Sequence, residues 1–191
     1  MEKGGIYILS GPSGCGKNTV YEGLRALDPD IVQTVSATTR KPRPGERNGV
    51  DYYFITVPEF KRRIDNGEFV EYVTYGGNCY GTLKSEVQRL TEMGKTVVLV
   101  IEVRGALNIK QMFPSSVSVF IEPPSTEELI RRINKRGDNS KAEIALRMNI
   151  ADEEMTYRDK YDYRVVNDDL ETCVKEIYSI MKKENDSNDQ H

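Results

Sequence analysis

Residues 11–17 read GPSGCGK, directly after the apolar run GIYILS at 5–10 and directly before a helical pattern. Val20, Leu24 and Leu27 recur at helical spacing, and Pro29 marks the stop. A strand, a GxxxxGK turn and a helix in that order form a phosphate loop. The glycines let the backbone curl so that several N–H groups point inward, and the helix adds its positive N-terminal end. Lys17 then supplies a point charge for β- and γ-phosphates. The loop residues expected at a nucleoside triphosphate are Gly11, Pro12, Ser13, Gly14, Cys15, Gly16, Lys17, Asn18 and Thr19. One position departs from the pattern: Asn18 stands where a Ser or Thr hydroxyl meets Mg²⁺. An Asn carbonyl oxygen can ligate Mg²⁺, or water can take that place. The motif alone leaves open a module that only binds.

The rest of the chain reads as strands alternating with helices. Strand-like runs fall at 32–35, 52–57, 69–75, 96–101 (TVVLVI), 117–121 and 163–166. Thr56 with Glu59, and Ser125 with Glu128, form capping-box pairs, and Thr82 is read as opening a helix that Gly94 closes. A charged helix is expected over 141–158 and a last helix over 169–182. The expected class is therefore α/β, a parallel-sheet core flanked by helices. A strand- and turn-rich insertion with its own small mixed sheet is expected at 34–91, and a polar helical excursion at 126–159. The core segments are then 1–33, 92–125 and 160–183, and the polar tail 184–191 is expected to be disordered.

Composition narrows the function. The 191 residues carry 27 Lys and Arg against 30 Asp and Glu, a net charge of −3. That balance disfavours nucleic-acid binding, so an anionic ligand must be met by a local cluster of cations. Cys15, Cys79 and Cys173 are far apart, which suits a reducing cytoplasm better than a disulfide framework or a zinc site. The one histidine is His191, so histidine base chemistry is not expected. No stretch approaches the roughly 20 apolar residues of a membrane span.

Residues 36–54 read SATTRKPRPGERNGVDYYF. Arg40 and Arg43 lie in a segment stiffened by Pro42 and Pro44, which suits bidentate phosphate binding at low ordering cost. The segment resembles the nucleoside-monophosphate loop of guanylate kinases, approximately S-x-T-T-R-x-P-R-x-G-E-x-x-G-x-D-Y-x-F. GPSGCGK before it, and GGNCYGT at 76–82, EVRGA at 102–106 and YDYRVVNDD at 161–169 after it, extend the resemblance over roughly 4–182.

The resemblance implies a P-loop nucleoside-monophosphate kinase of purine nucleotide metabolism. Its expected reaction is reversible transfer of the ATP γ-phosphoryl group to GMP or dGMP, with Mg²⁺. The alternative it leaves is a guanylate-kinase-like binding module without activity. It implies that Arg40, Arg43, Tyr52 and Tyr80 hold the acceptor phosphate and that Ser36, Glu71 and Thr82 read guanine. The chemistry agrees: one carboxylate can accept from both N1–H and N2–H₂ of guanine, whereas adenine offers no proton at N1. It further implies lid arginines at Arg132, Arg136 and Arg147 over the ATP phosphates, and Asn167 near the adenine of ATP. Lys17, Arg43, Arg136 and Arg147 are the expected catalytic charges. Two departures fall near the metal. The family's D-x-D pair is Val100 and Glu102 here, so Glu102 keeps a contact toward guanine while Val100 has no oxygen to offer. With Val100 apolar, Asn18 is the side chain left to face Mg²⁺. Beyond the nucleotides no nucleic acid or membrane partner is expected, and the assembly is a monomer or homodimer. Alkylation of Cys15, inside the loop, is expected to block activity unless ATP protects it.

Overall fold

The computed structural model describes residues 4–134 and 141–188. In chain order the elements begin β1 (Ile6–Ser10), α1 (Lys17–Leu27), β2 (Ile31–Val32), β3 (Ala37–Thr38), β4 (Tyr53–Phe54) and α2 (Val57–Asp65). They continue with β5 (Phe69–Tyr75), β6 (Asn78–Leu83), α3 (Lys84–Glu92), β7 (Thr96–Val100) and α4 (Val103–Met112). The last are β8 (Val117–Glu122), α5 (Thr126–Asn134), α6 (Lys141–Met155), a 3₁₀ turn (Arg158–Lys160), β9 (Tyr163–Val166) and α7 (Leu170–Asn188). The chain divides into two compact units, Gly5–Val32 with Val98–His191, and Met1–Gly4 with Gln33–Val97.

The larger unit is built on a five-stranded sheet in the order β2-β7-β1-β8-β9. β1 runs parallel to β8, and β8 to β9. β8 is buried along all six residues, as a strand covered by helices on both faces must be. Leu9, Val20, Leu24, Val119, Ile121 and Ile177 belong to the core that joins the sheet to α1 and α7. β1 lies in the middle of this sheet, so the loop leaving its carboxyl end sits where open α/β sheets take their ligands. Among the described residues no helix is long and apolar enough to cross a membrane.

The smaller unit is a four-stranded mixed sheet, order β4-β3-β6-β5, with β3 parallel to β4 and the other pairs antiparallel. Phe60 of α2 stacks on Phe69 of β5 with ring centroids 4.4 Å apart, in a core shared with Ala37 and Leu83. The parallel core and the small mixed sheet are the α/β architecture expected from the sequence.

Several elements differ from the sequence reading. β6 and α4 have weak patterns and were not expected. β6 contains Gly81, where an added Cβ would lie 2.8 Å from the Glu71 carbonyl oxygen and 2.8 Å from the Phe69 ring. α4 contains Gly105, a poor helix former. Thr82 therefore lies in a strand, and its helix starts two residues later. The strand expected at 52–57 shrinks to Tyr53–Phe54 because α2 already begins at Val57. Each capping box is half made. Thr56 Oγ1 accepts from Glu59 N (3.3 Å) and Ser125 Oγ from Glu128 N (3.1 Å). Both glutamates turn their carboxylates to arginines one helical turn on, Arg62 and Arg63 or Arg131 and Arg132. Finally, α7 runs to Asn188 through part of the tail expected to be disordered. Two tyrosines hold it there: the Tyr7 hydroxyl donates between the Met181 carbonyl (2.9 Å) and Asn185 Oδ1 (2.8 Å), and Tyr163 donates to Glu184.

Candidate active site

The loop from Gly11 to Lys17 is shaped by glycine. Gly11 has φ +143° and Gly16 φ +98°, and an added Cβ would meet the Ile121 carbonyl oxygen at 2.2 Å or Asn167 Nδ2 at 2.5 Å. Gly16 caps α1 without a side chain, and the first turn of that helix carries no acidic residue. Its leading N–H groups and the dipole are thus left for an anion. Lys17 Nζ donates to the Gly11 carbonyl (2.6 Å) and the Pro12 carbonyl (3.3 Å), which folds the ammonium back over the loop.

A cavity of about 480 Å³ opens on this loop, bordered by Gly14, Lys17, Asn18, Thr19, Arg132, Arg147 and Asn167. Asn167 is buried and its side chain donates from Nδ2 to the Cys15 carbonyl (2.8 Å), bracing the loop from behind. α7 is capped by Asp169, whose Oδ1 accepts from Thr172 N (2.9 Å). Arg132 donates to Glu128 (2.7 Å) and to the Asn167 carbonyl (2.9 Å), so its guanidinium is already oriented at the cavity wall. Arg147 borders the same cavity, and Arg136 lies outside the described residues.

Cys15 overturns one expectation. Its side chain is fully buried in the core behind the loop, and burial raises its thiol pKa against the opposing pull of Lys17. A buried, protonated thiol is inert to alkylation, so Cys15 contributes its backbone to the loop and its sulfur to the core.

Among the described residues no group of three Asp, Glu, His or Cys side chains is arranged to hold an ion. Val100 packs against the core, while Asn18 is exposed on the cavity. This donor set fits a Mg²⁺ that arrives on a triphosphate and keeps most of its waters, not one caged by protein.

The second set of residues lies in the smaller unit. Arg40 makes a bidentate pair with Glu46, at 2.7 and 2.9 Å, and its guanidinium carbon stands 5.4 Å from the Tyr52 ring centroid. The ring of Tyr80 lies 6.0 Å from that of Tyr52. Glu46 also accepts from the backbone N of Arg43 at 2.6 Å. Its pKa is pushed down to about 2, chiefly by the Arg40 hydrogen bonds and then by the Arg43 amide. One carboxylate thus clamps the segment that carries both arginines. Asp51 and Asn48 close the remainder, accepting from Arg47 N (2.7 Å) and Phe54 N (2.8 Å). Glu46 is a residue the sequence reading passed over, although it lies inside the quoted motif three positions after Arg43.

Glu71 and Thr82 face each other across β5 and β6, and Thr82 Oγ1 donates to Glu71 Oε1 at 2.9 Å. A bulge between Phe69 and Glu71 sets this pairing, shifting the register so that Glu71 opposes Thr82. Thr82 is buried and Glu71 half-buried. Ser36 immediately precedes β3, and its carbonyl accepts from Tyr53 N at 2.9 Å. The smaller unit therefore contains Ser36, Arg40, Arg43, Tyr52, Glu71, Tyr80 and Thr82. Glu102 belongs to the larger unit, at the start of α4, beside Glu154 and Tyr157.

Comparison with known proteins agrees over nearly the whole chain. A family model described as guanylate kinase matches residues 3–184. The guanylate kinase of Clostridium perfringens is 45% identical over 182 residues, which cover 95% of this chain and 84% of that one. The guanylate kinase of Thermotoga maritima is 43% identical over 183 residues, 95% of this chain and 88% of that one. Among solved structures, the guanylate kinase of Anaplasma phagocytophilum superimposes with a TM-score of 0.67 at 36% identity, covering 96% of this chain and 87% of that one.

Proposed function

Because the chain belongs to the guanylate kinase family and transfers the ATP γ-phosphoryl group to GMP, we propose a division of its residues between the two nucleotides. The loop from Gly11 to Thr19, with Arg132, Arg147 and Asn167, holds ATP. Ser36, Arg40, Arg43, Tyr52, Glu71, Tyr80 and Thr82 hold GMP or dGMP, with Glu102 contributing toward the base.

The reaction needs little covalent help from the protein. A phosphate oxygen of GMP attacks the γ-phosphorus, and the bond to the β,γ-bridging oxygen breaks to leave ADP. The acceptor is already an anion, so no side-chain base is required. Positioning and charge do the rest: Lys17 and Arg147 meet the charge of the transferring group, and Arg43 with Arg40 fixes the attacking phosphate. Asn18 is the side chain that would face a Mg²⁺ brought in on ATP, and the ion would supply further neutralisation of the phosphate oxygens. Both nucleotides are cytoplasmic metabolites, and we assign the enzyme to that compartment.

The observation that carries the base assignment is the Thr82 hydroxyl bonded to the Glu71 carboxylate across a bulged strand pair. The bulge and the hydroxyl fix a carboxylate that accepts from N1–H and N2–H₂ of guanine. Glu71→Gln replaces one of those acceptors with a donor. We expect kcat/KM for GMP to fall about 100-fold, and much less for IMP, which lacks the 2-amino group. A variant that keeps the wild-type ratio of GMP to IMP activity refutes the assignment of Glu71.

A further inference from the structure

One group beside the loop has no part in the scheme above. Glu154 of α6 turns its carboxylate back to the phosphate loop, where Oε2 accepts from the backbone N–H of Ser13 at 3.4 Å. That N–H belongs to the set that a phosphate loop offers to an anion. The charged and titratable groups around the carboxylate come from the loop, α1, the start of α4, α6 itself and the turn before β9. Lys17 of α1 attracts it, Glu102 at the start of α4 and its own neighbour Glu153 repel it, and Cys15 and Tyr161 lie within its electrostatic reach. A cavity of about 260 Å³, lined by Glu102, Ile150, Glu153 and Tyr157, adjoins the side chain and gives it room to move off the loop.

We propose that Glu154 is an internal competitor for the phosphate loop: its carboxylate holds the Ser13 amide and faces Lys17 until the triphosphate takes that position. A carboxylate and a phosphate oxygen want the same two partners, an N–H and an ammonium, and they repel each other at close range in a partly desolvated site. ATP must therefore turn Glu154 away, so α6 contacts the loop through this residue only when the nucleotide is absent. Burial raises the pKa of Glu154 against the opposing pull of Lys17, so the competitor is discharged at a higher pH than an ordinary carboxylate. The sign follows. Competition is full at high pH, where Glu154 is ionised, and fades as pH falls through its raised pKa.

This rests on the assignment of the loop to ATP, and the test separates the two. ATP affinity is measured by calorimetry for wild type and Glu154→Gln between pH 5 and 9, with Mg²⁺ present. The quantity read is the ratio of the two dissociation constants, in which the titration of ATP itself cancels. We expect wild type to bind about three- to tenfold more weakly at high pH, with the ratio approaching one at low pH. GMP affinity and the thermal midpoint are expected to stay unchanged, which a folding defect would not allow. Tighter binding by wild type, or a ratio that does not vary with pH, overturns the proposal. Lys17→Met in the same titration keeps the causes apart. Undiminished ATP binding by that variant refutes the loop assignment, whereas lost binding together with a ratio of one refutes only the role of Glu154.

Discussion

Lys17→Met is expected to lower kcat by about 1,000-fold while GMP binding persists. The ammonium sits at the first position of α1 and is folded over the loop by the Gly11 and Pro12 carbonyls, so it needs little reorganisation to meet a phosphate. A preorganised charge aimed at a transferring group is worth roughly 10²- to 10³-fold in rate. Here the loop lacks the usual Ser or Thr after the lysine and an aspartate at Val100, so fewer other groups share the charge. Methionine keeps the length and the apolar stem, which confines the change to the head group. A coupled assay of ADP release measures kcat, and calorimetry with GMP shows whether the acceptor site is intact. Activity within tenfold of wild type would mean that Lys17 does not face the γ-phosphate.

The second large effect is expected at Arg40. Arg40→Met should lower kcat/KM for GMP by about 1,000-fold and leave KM for ATP nearly unchanged. Arg40 is held by two hydrogen bonds to Glu46 and one to the Lys41 carbonyl (2.8 Å) and lies against the Tyr52 ring, so its Nε and Nη2 edge is presented in a fixed plane. A planar fork held in this way recognises a phosphate through charge-assisted bonds that methionine cannot make. Glu46→Gln separates holding from contact. It leaves Arg40 in place but loosens both it and the Arg43 backbone, so KM for GMP should rise about tenfold with kcat little altered. Equal losses in the two variants, or a loss seen in KM for ATP, would contradict this arrangement.

The parts of the molecule that announce themselves locally were legible in the sequence. The phosphate loop is one, because strand, glycines, lysine and helix are contiguous and each dictates its own backbone shape. The apolar strands at 96–101 and 117–121 are another, since burial on both faces leaves a nearly continuous apolar run. β6 and α4 were not legible. Their glycines lower local propensity, and the reason for Gly81 is a neighbouring strand and a Phe69 ring that sequence spacing does not display. The same holds within the site. Arg40 and Arg43 could be read from the motif, but that Glu46 clamps both depends on how the turn from Arg43 to Glu46 folds back. Cys15 was misread for a related reason. Its place in the loop suggested exposure, whereas the curl of the loop points its sulfur into the core. The final helix outlasted its polar composition because Tyr7 and Tyr163, far away in sequence, supply it with partners.

In this scheme two separate sets of residues take two different nucleotides. Backbone amide chemical shifts, recorded during titration with GMP alone and with an unhydrolysable ATP analogue alone, test it directly. GMP is expected to move the signals of Ser36, Arg43, Glu71 and Thr82 and to leave the loop from Gly11 to Lys17 in place. The ATP analogue is expected to move Ser13, Gly14, Lys17 and Asn167. Perturbation of the loop by GMP with Glu71 and Thr82 unmoved would contradict the account.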